Sequence, residues 1–224
     1  MIRIALIEIS ILCLSLLSGC AENPKLPFLG NADVHYFEKN GKVFSDTIYP
    51  KIPGFEFVNQ HGKKVNNKNY KNKMWIAEFF FTSCPTICPI MNNQLKRLHK
   101  KLGREINQEI QFLSFSIDPK NDTPAALLSY QKSHRLNYTN WDFLCGNEEE
   151  THQLGIQNFL TFAGKDDESA GGYAHSGSFT LVDKDGYVRG VYSVTNFDLS
   201  VNEQEFDRMV KEIKILYDEH INTK

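Results

Sequence analysis

The 224 residues carry 25 Lys and Arg against 27 Asp and Glu, a formal net charge of −2. With 41% hydrophobic and 23% charged residues, disorder, collagen and coiled coil are excluded, and the even charge excludes a strongly basic nucleic-acid binder and gives no sign of a polybasic membrane patch. The length suits one ordinary domain with extras or two small ones.

The first residues read differently from the rest. Met1 to Gly19 is mostly apolar, with one early positive charge at Arg3. Its run from Ile9 to Leu17 is short for a membrane span. It ends in Leu17-Ser18-Gly19-Cys20, and small residues before a cysteine resemble the lipobox of a bacterial lipoprotein signal. The resemblance implies that residues 1–19 are cut away and that Cys20 takes the lipid. The body is then expected in the bacterial cell envelope, on the extracytoplasmic side, tethered to a membrane. An uncleaved anchor helix is the alternative, with the same export. Residues 20–50 are expected to be the anchored N-terminus and spacer, because Ala21 to Gly41 holds Pro24, Pro27, Gly30 and Gly41 with little periodicity. Residues 51–224 form the domain.

The body begins with a short strand at Phe55–Val58. Lys73–Phe81 is apolar almost throughout, which predicts a central strand buried on both faces. It runs into Thr82-Ser83-Cys84-Pro85-Thr86-Ile87-Cys88-Pro89, and a helix is expected from Pro89 to Leu102. Glu109–Ile117 is the next strand. Thr123 as N-cap and Pro124 at the first helical position open a helix to about His134. Trp141–Leu144 reads as a strand, Glu148–Leu160 as a helix and the polar stretch Gly164–Gly172 as a loop. Ser178–Val182 and Tyr187–Val194 flank Asp183-Lys184-Asp185-Gly186, a hairpin signal. A last helix runs from Asn202 to His220, with Phe206, Met209, Val210, Ile213 and Leu216 as its buried stripe.

The order β-α-β-α-β-α-β-β-α predicts an α/β fold, a central mixed sheet flanked by helices with a C-terminal β-hairpin. A strand, a cysteine pair, a helix and a later hairpin is the layout of a thioredoxin-like domain. Fold alone assigns no function.

Five cysteines are too few for a disulfide scaffold. Cys13 leaves with the leader and Cys20 carries lipid, which leaves Cys84, Cys88 and Cys145. Outside the cytoplasm, unpaired thiols oxidise unless they are kept reduced for a purpose. Cys84 and Cys88 stand at the carboxyl end of a strand and the amino end of a helix, where ligand sites collect and where the helix dipole is expected to lower a thiol pKa. The pair alone permits disulfide exchange or metal binding. Two details favour metal. The spacing is C-x-x-x-C, where thioredoxin-like oxidoreductases usually carry C-x-x-C. All eight prolines also lie at or before Pro124, so none precedes the strand that faces the cysteines; Tyr173-Ala174-His175-Ser176 stands there instead. An imidazole joined to two thiolates suits copper, above all Cu(I).

These segments resemble the Sco (also SenC) family of copper-binding proteins that help assemble cytochrome c oxidase. The match rests on FFFTSCPTICP at 79–89, SIDPKNDTPAALLSY at 116–130, WDFLCG at 141–146 and HSGSFTLVDKDGYV at 175–188, with IPGFEFVNQHGKKV at 52–65 weaker. It implies copper ligation by Cys84, Cys88 and His175, about one Cu(I) or Cu(II) ion per chain. It places the family's aspartate at Asp118, beside the ligands as an orienting or loop-holding group, or simply a turn residue before Pro119. Ala174 stands where many relatives carry an acidic residue.

The implied function is a tethered chaperone that takes copper from an unidentified donor and delivers it to the copper-site subunit of a cytochrome c oxidase. The alternative is a thiol–disulfide oxidoreductase in which Cys84 and Cys88 form a redox disulfide and keep that subunit's cysteines reduced. Peroxidase chemistry lacks its active-site arginine near Cys84, and structural zinc wants four protein ligands where three are offered. Cys145 is expected as a buried small hydrophobe and Met91 as core. His61, His99, His134, His152 and His220 read as solvated.

Overall fold

The computed structural model describes residues 24–166, 168, 172–196 and 198–222. The leader 1–19, Cys20 and Asp167 lie outside the described residues.

MWIAEFF folds as β5 (Met74–Phe80), buried at every position, as a strand covered on both faces must be. It pairs in parallel with β6 (Ile110–Ser116), and β6 in parallel with β7 (Trp141–Cys145). The hairpin of β10 (Ser178–Val182) and β11 (Val188–Ser193) joins antiparallel to β5. On the other side β3 (Glu56–Asn59) pairs antiparallel with β7 and carries β4 (Lys64–Asn66), a strand not expected from the sequence. The seven-stranded order is β11-β10-β5-β6-β7-β3-β4.

Among the described residues four α-helices complete the thioredoxin-like fold: α1 (Ile87–Glu109), α2 (Pro124–Ser133), α3 (Glu148–Gln153) and α4 (Glu203–Asn222). α1 packs on α4, α4 on β11 and α2 on β7. Thr123 caps α2 as expected, its hydroxyl accepting from the Ala126 amide at 3.3 Å. No helix among the described residues is long and apolar enough to cross a membrane.

Several boundaries differ from expectation. α1 does not stop at Leu102: Gly103 takes φ +73°, breaks the helix, and the chain resumes it to Glu109. α3 ends at Gln153 and passes into a π turn over Leu154–Asn158, short of Leu160. There Gly155 lies against Phe79, and a Cβ would come within 3.1 Å of the ring. The Gly164–Gly172 loop is framed by a second hairpin, β8 (Ala163–Lys165) paired with β9 (Tyr173–His175).

The largest difference falls within the expected spacer. β1 (Asp33–Lys39) and β2 (Lys42–Ile48) form an exposed hairpin around Asn40-Gly41, both at positive φ. Asn-Gly is the preferred pair for this turn because both residues tolerate a left-handed backbone. Just before it, buried Arg189 on β11 holds the chain down. It donates to the carbonyls of Leu26 and Pro27 and pairs with Asp183 at 3.0 Å and Glu219 at 2.8 Å. The Leu29 amide donates to Val188 O at 2.9 Å. The chain is therefore held at the sheet edge already at Leu26–Leu29, within the expected spacer 20–50 and ahead of the expected domain start at residue 51.

Candidate functional site

The site lies at the carboxyl ends of the three parallel strands β5, β6 and β7, where open α/β sheets gather ligands. After β5 the chain turns through Thr82 into the cysteine segment. Asp122, fully buried, anchors that turn. It accepts from the Thr82 amide at 3.1 Å, from the Thr82 hydroxyl, and from Ser116 Oγ at 2.5 Å. Burial pushes its carboxyl up, and these hydrogen bonds hold it down in part.

Cys84 and Cys88 are both buried, 7% and 1% exposed. The Cys84 amide donates to Phe81 O at 3.2 Å, and its sulfur lies 3.8 Å from Thr86 Oγ1. The Cys84 side chain is near enough to act on the titration of Cys88. The helix dipole does not win at Cys88. Its thiol is pushed well up, first by burial, then by the bond to Cys84 and the nearby negative charge of Cys84. Cys88 is the second residue of α1, already under the domain surface, and desolvation of a thiolate there outweighs the first-turn dipole. A metal ion changes the balance, because it supplies positive charge at the sulfur and deprotonates a coordinating thiol outright.

Below the pair lies a buried polar cluster that was not singled out from the sequence. Glu78, the one charged residue of β5, is fully buried and accepts from Ser114 Oγ at 2.6 Å. Trp141 Nε1 donates to the same Ser114 oxygen at 2.8 Å, and Asn92 Nδ2 donates to Tyr130 Oη at 2.6 Å. Glu78 Oε2 and Asn92 Oδ1 have no hydrogen-bond partner among the described residues. Burial raises the Glu78 carboxyl from 4.5 to about 7, against the bond from Ser114, and its charge contributes to the rise at Cys88. The unfolded chain ionises near 4.5 and the folded one near 7, so stability is full below the first value and falls as pH rises between the two. The loss is about 3 kcal/mol. Glu78→Gln is expected to remove that slope. Guanidinium unfolding from pH 4 to 8 checks it, and an equal slope in both proteins would refute the assignment.

Asp118 is buried at the end of β6. Its carboxylate accepts from Asn121 Nδ2 at 2.7 Å and from Tyr173 Oη at 3.3 Å, while its carbonyl accepts the Asn121 and Asp122 amides. It is thus a turn residue and a tie to β9 at once. His175 ends β9, its backbone paired with Ala163; its side chain lies outside the described set. The structure brings its strand to the cysteine turn at the next residues. Gly177 has φ +58°, and a Cβ there would lie 2.4 Å from Cδ1 of Ile87, which stands between the two cysteines. Only glycine allows that backbone to lie so close.

The remaining cysteine and Met91 behave as expected. Cys145 is buried on β7, donates to Val58 O at 3.6 Å and is pushed up by burial; Met91 is core. Four of the histidines expected to be solvated are engaged: His134 stacks on Tyr130 with ring centroids 4.0 Å apart, and burial lowers the pKa of His220. His99 packs on Tyr138 with ring centroids 4.1 Å apart and bonds Asn140 at 3.2 Å, and His152 Nε2 lies 3.0 Å from Ile117 O. Glu78, Asp122 and Tyr173 were missed. The signal for Glu78 was a lone charge inside an apolar run; for Asp122 it was the second aspartate of D-P-x-x-D-T-P.

A family model described as SCO1/SenC matches residues 48–211. The chain belongs to the SCO1/SenC family. The SCO1 protein homolog of Bacillus subtilis is 34% identical over 175 residues, covering 78% of this chain and 86% of that one. The structure of BsSco, a member of the Sco family of cytochrome c oxidase assembly proteins in which a disulfide switch was identified, superposes with TM-score 0.60 at 35% identity, over 74% of this chain and 93% of that one. Arabidopsis thaliana ScoI, solved with copper bound, gives TM-score 0.58 at 25% identity, over 72% and 97%. Family membership accounts for the thioredoxin-like sheet.

Proposed function

We propose that this SCO1/SenC protein is a membrane-tethered copper chaperone that binds copper through Cys84, Cys88 and His175 and delivers it to the copper centre of a cytochrome c oxidase. The observation that carries the reading is the pair of buried cysteines after β5, with Gly177, two residues beyond His175, packed against Ile87, which stands between the two cysteines in the chain. Two soft sulfurs and a nitrogen suit Cu(I). Burial favours the low-charge complex that one monovalent ion makes with two thiolates. A Sco relative that carries copper and another described in oxidase assembly support the same reading. Copper here is cargo, and three ligands without a fourth leave room for a receiving protein to enter the coordination sphere.

The second reading is thiol–disulfide exchange by the same pair. Its support is the placement of two cysteines in one turn, with Cys84 the more exposed of the two; against it stands the burial of Cys88, which disfavours its thiolate. Anaerobic titration of the reduced protein with Cu(I) tests the first reading. One ion per chain is expected, and absence of stoichiometric uptake would refute it.

The tether belongs to the same proposal. With the chain held at the sheet from Leu26, the six Cα steps from Cys20 to Leu26 reach at most about 20 Å, so lipid on Cys20 would hold the domain close to the membrane surface. Cys20→Ser is expected to abolish incorporation of labelled fatty acid and to leave the leader uncleaved. Equal labelling of both proteins would sink the lipoprotein assignment.

A further inference from the structure

β9 is three residues long, and the neighbouring residues 167 and 169–171 lie outside the described set. Something must fix the strand if position 175 is to meet the sulfurs reproducibly. Strand alternation puts residues 173 and 175 on one face and Ala174 on the other. Tyr173 is therefore the side chain on the strand that shares a face with the proposed ligand, and it touches all three parallel strand ends. Its ring packs on Phe81, just after β5, with centroids 5.3 Å apart. Its hydroxyl lies 3.3 Å from Asp118 Oδ1, after β6, and 3.3 Å from Glu148 Oε1, after β7. Lys165, opposite Tyr173 on β8, reaches the same Glu148 oxygen at 2.7 Å. Phe81 is also the residue whose carbonyl holds the Cys84 amide.

We propose that Tyr173 is a positioning residue for His175, a clasp that fastens β9 to the carboxyl ends of β5, β6 and β7 through its ring and its hydroxyl. The proposal deepens the copper reading and rests on it. A phenol has one proton to give, so the hydroxyl can serve Asp118 or Glu148 fully but not both at once. Lys165 answers the Glu148 charge with a cation at the oxygen that faces the phenol, whereas Asp118 has the neutral Asn121 amide on Oδ2, which leaves Asp118 Oδ1 as the acceptor with most need of the phenol proton. This gives Asp118 a role in the site without contact with the metal. It acts through Tyr173 on the strand that carries the ligand, as outer partners of metal ligands do. Phe81 sets the ring at the height of the cysteine turn.

Tyr173→Phe keeps the ring and removes the hydroxyl, so it tests the clasp without opening the core. Cu(II) gains most from nitrogen and should feel the change. Its affinity is expected to fall roughly tenfold, the low end for loss of an outer partner, with a weakened thiolate-to-Cu(II) absorption and an altered electron paramagnetic resonance spectrum. Cu(I) uptake and thermal stability should hold. Asp118→Ala should produce the same spectrum, and the double variant should be no worse than either single one, since both remove one interaction. His175→Ala is measured alongside. If it loses the Cu(II) absorption while Tyr173→Phe keeps the wild-type spectrum and affinity, the clasp is overturned and the ligand set stands. If His175→Ala itself leaves the spectrum unchanged, the ligand reading falls and the clasp with it.

Discussion

Oxidation of Cys84 and Cys88 to a disulfide is expected to abolish copper binding, and reduction to restore about one ion per chain. The reason is the donor set. Each thiolate offers soft, charged lone pairs, whereas a disulfide sulfur carries no charge and donates weakly. With both sulfurs consumed, only one nitrogen ligand would remain. Both cysteines are buried in the turn that leads from β5 into α1. Cys84→Ser and Cys88→Ser should each lose high-affinity copper, and neither should be rescued by reductant. Cys145→Ser should change nothing, because that thiol is occupied with Val58 O on the β3 side of the sheet. Equilibrium dialysis of both redox forms reads the result. A disulfide form that holds copper as tightly as the dithiol would place the site elsewhere.

The cysteine pair, the parallel strands and the C-terminal hairpin were legible in the sequence because each rests on a local signal: an apolar run, a Thr-Pro helix start, an Asp-Gly turn. The hairpin over Asp33–Ile48 carried such a signal too, in Asn40-Gly41, but it lay in a stretch whose prolines and glycines read as spacer. Nothing local marks Leu26–Leu29 as part of the sheet edge, since the group that holds it is Arg189, more than 150 residues away in sequence. Charge burial was the other blind spot. A helix N-terminus predicts a lowered thiol pKa, but how deep Cys88 lies depends on the roof made by α1 and the strand ends, which no spacing reveals. Glu78 shows the same thing: the sequence has the charge, and only packing shows that one of its oxygens has no partner among the described residues.

His175 separates delivery of copper from reduction of thiols. Exchange between a dithiol and a disulfide needs only Cys84 and Cys88; the proposed copper site needs the imidazole as well. Cu(I) is soft and tolerates two thiolates alone, so His175→Ala should weaken its binding modestly. Cu(II) is harder and depends more on nitrogen, so the thiolate-to-Cu(II) absorption should be largely lost. Dithiol–disulfide cycling should survive, since the close contact of Gly177 with Ile87 is backbone to side chain and does not involve residue 175. The two functions then part in the cell. Oxidase assembly should fail in the variant if metal delivery is the task, and persist if the task is keeping the client's cysteines reduced. Added copper sharpens the comparison, because excess metal can bypass a weakened chaperone but cannot replace a missing reductant. Assembly that fails with His175→Ala and returns with copper supports delivery. Normal assembly with His175→Ala, together with failure of Cys84→Ser that copper does not relieve, would assign the protein to thiol reduction.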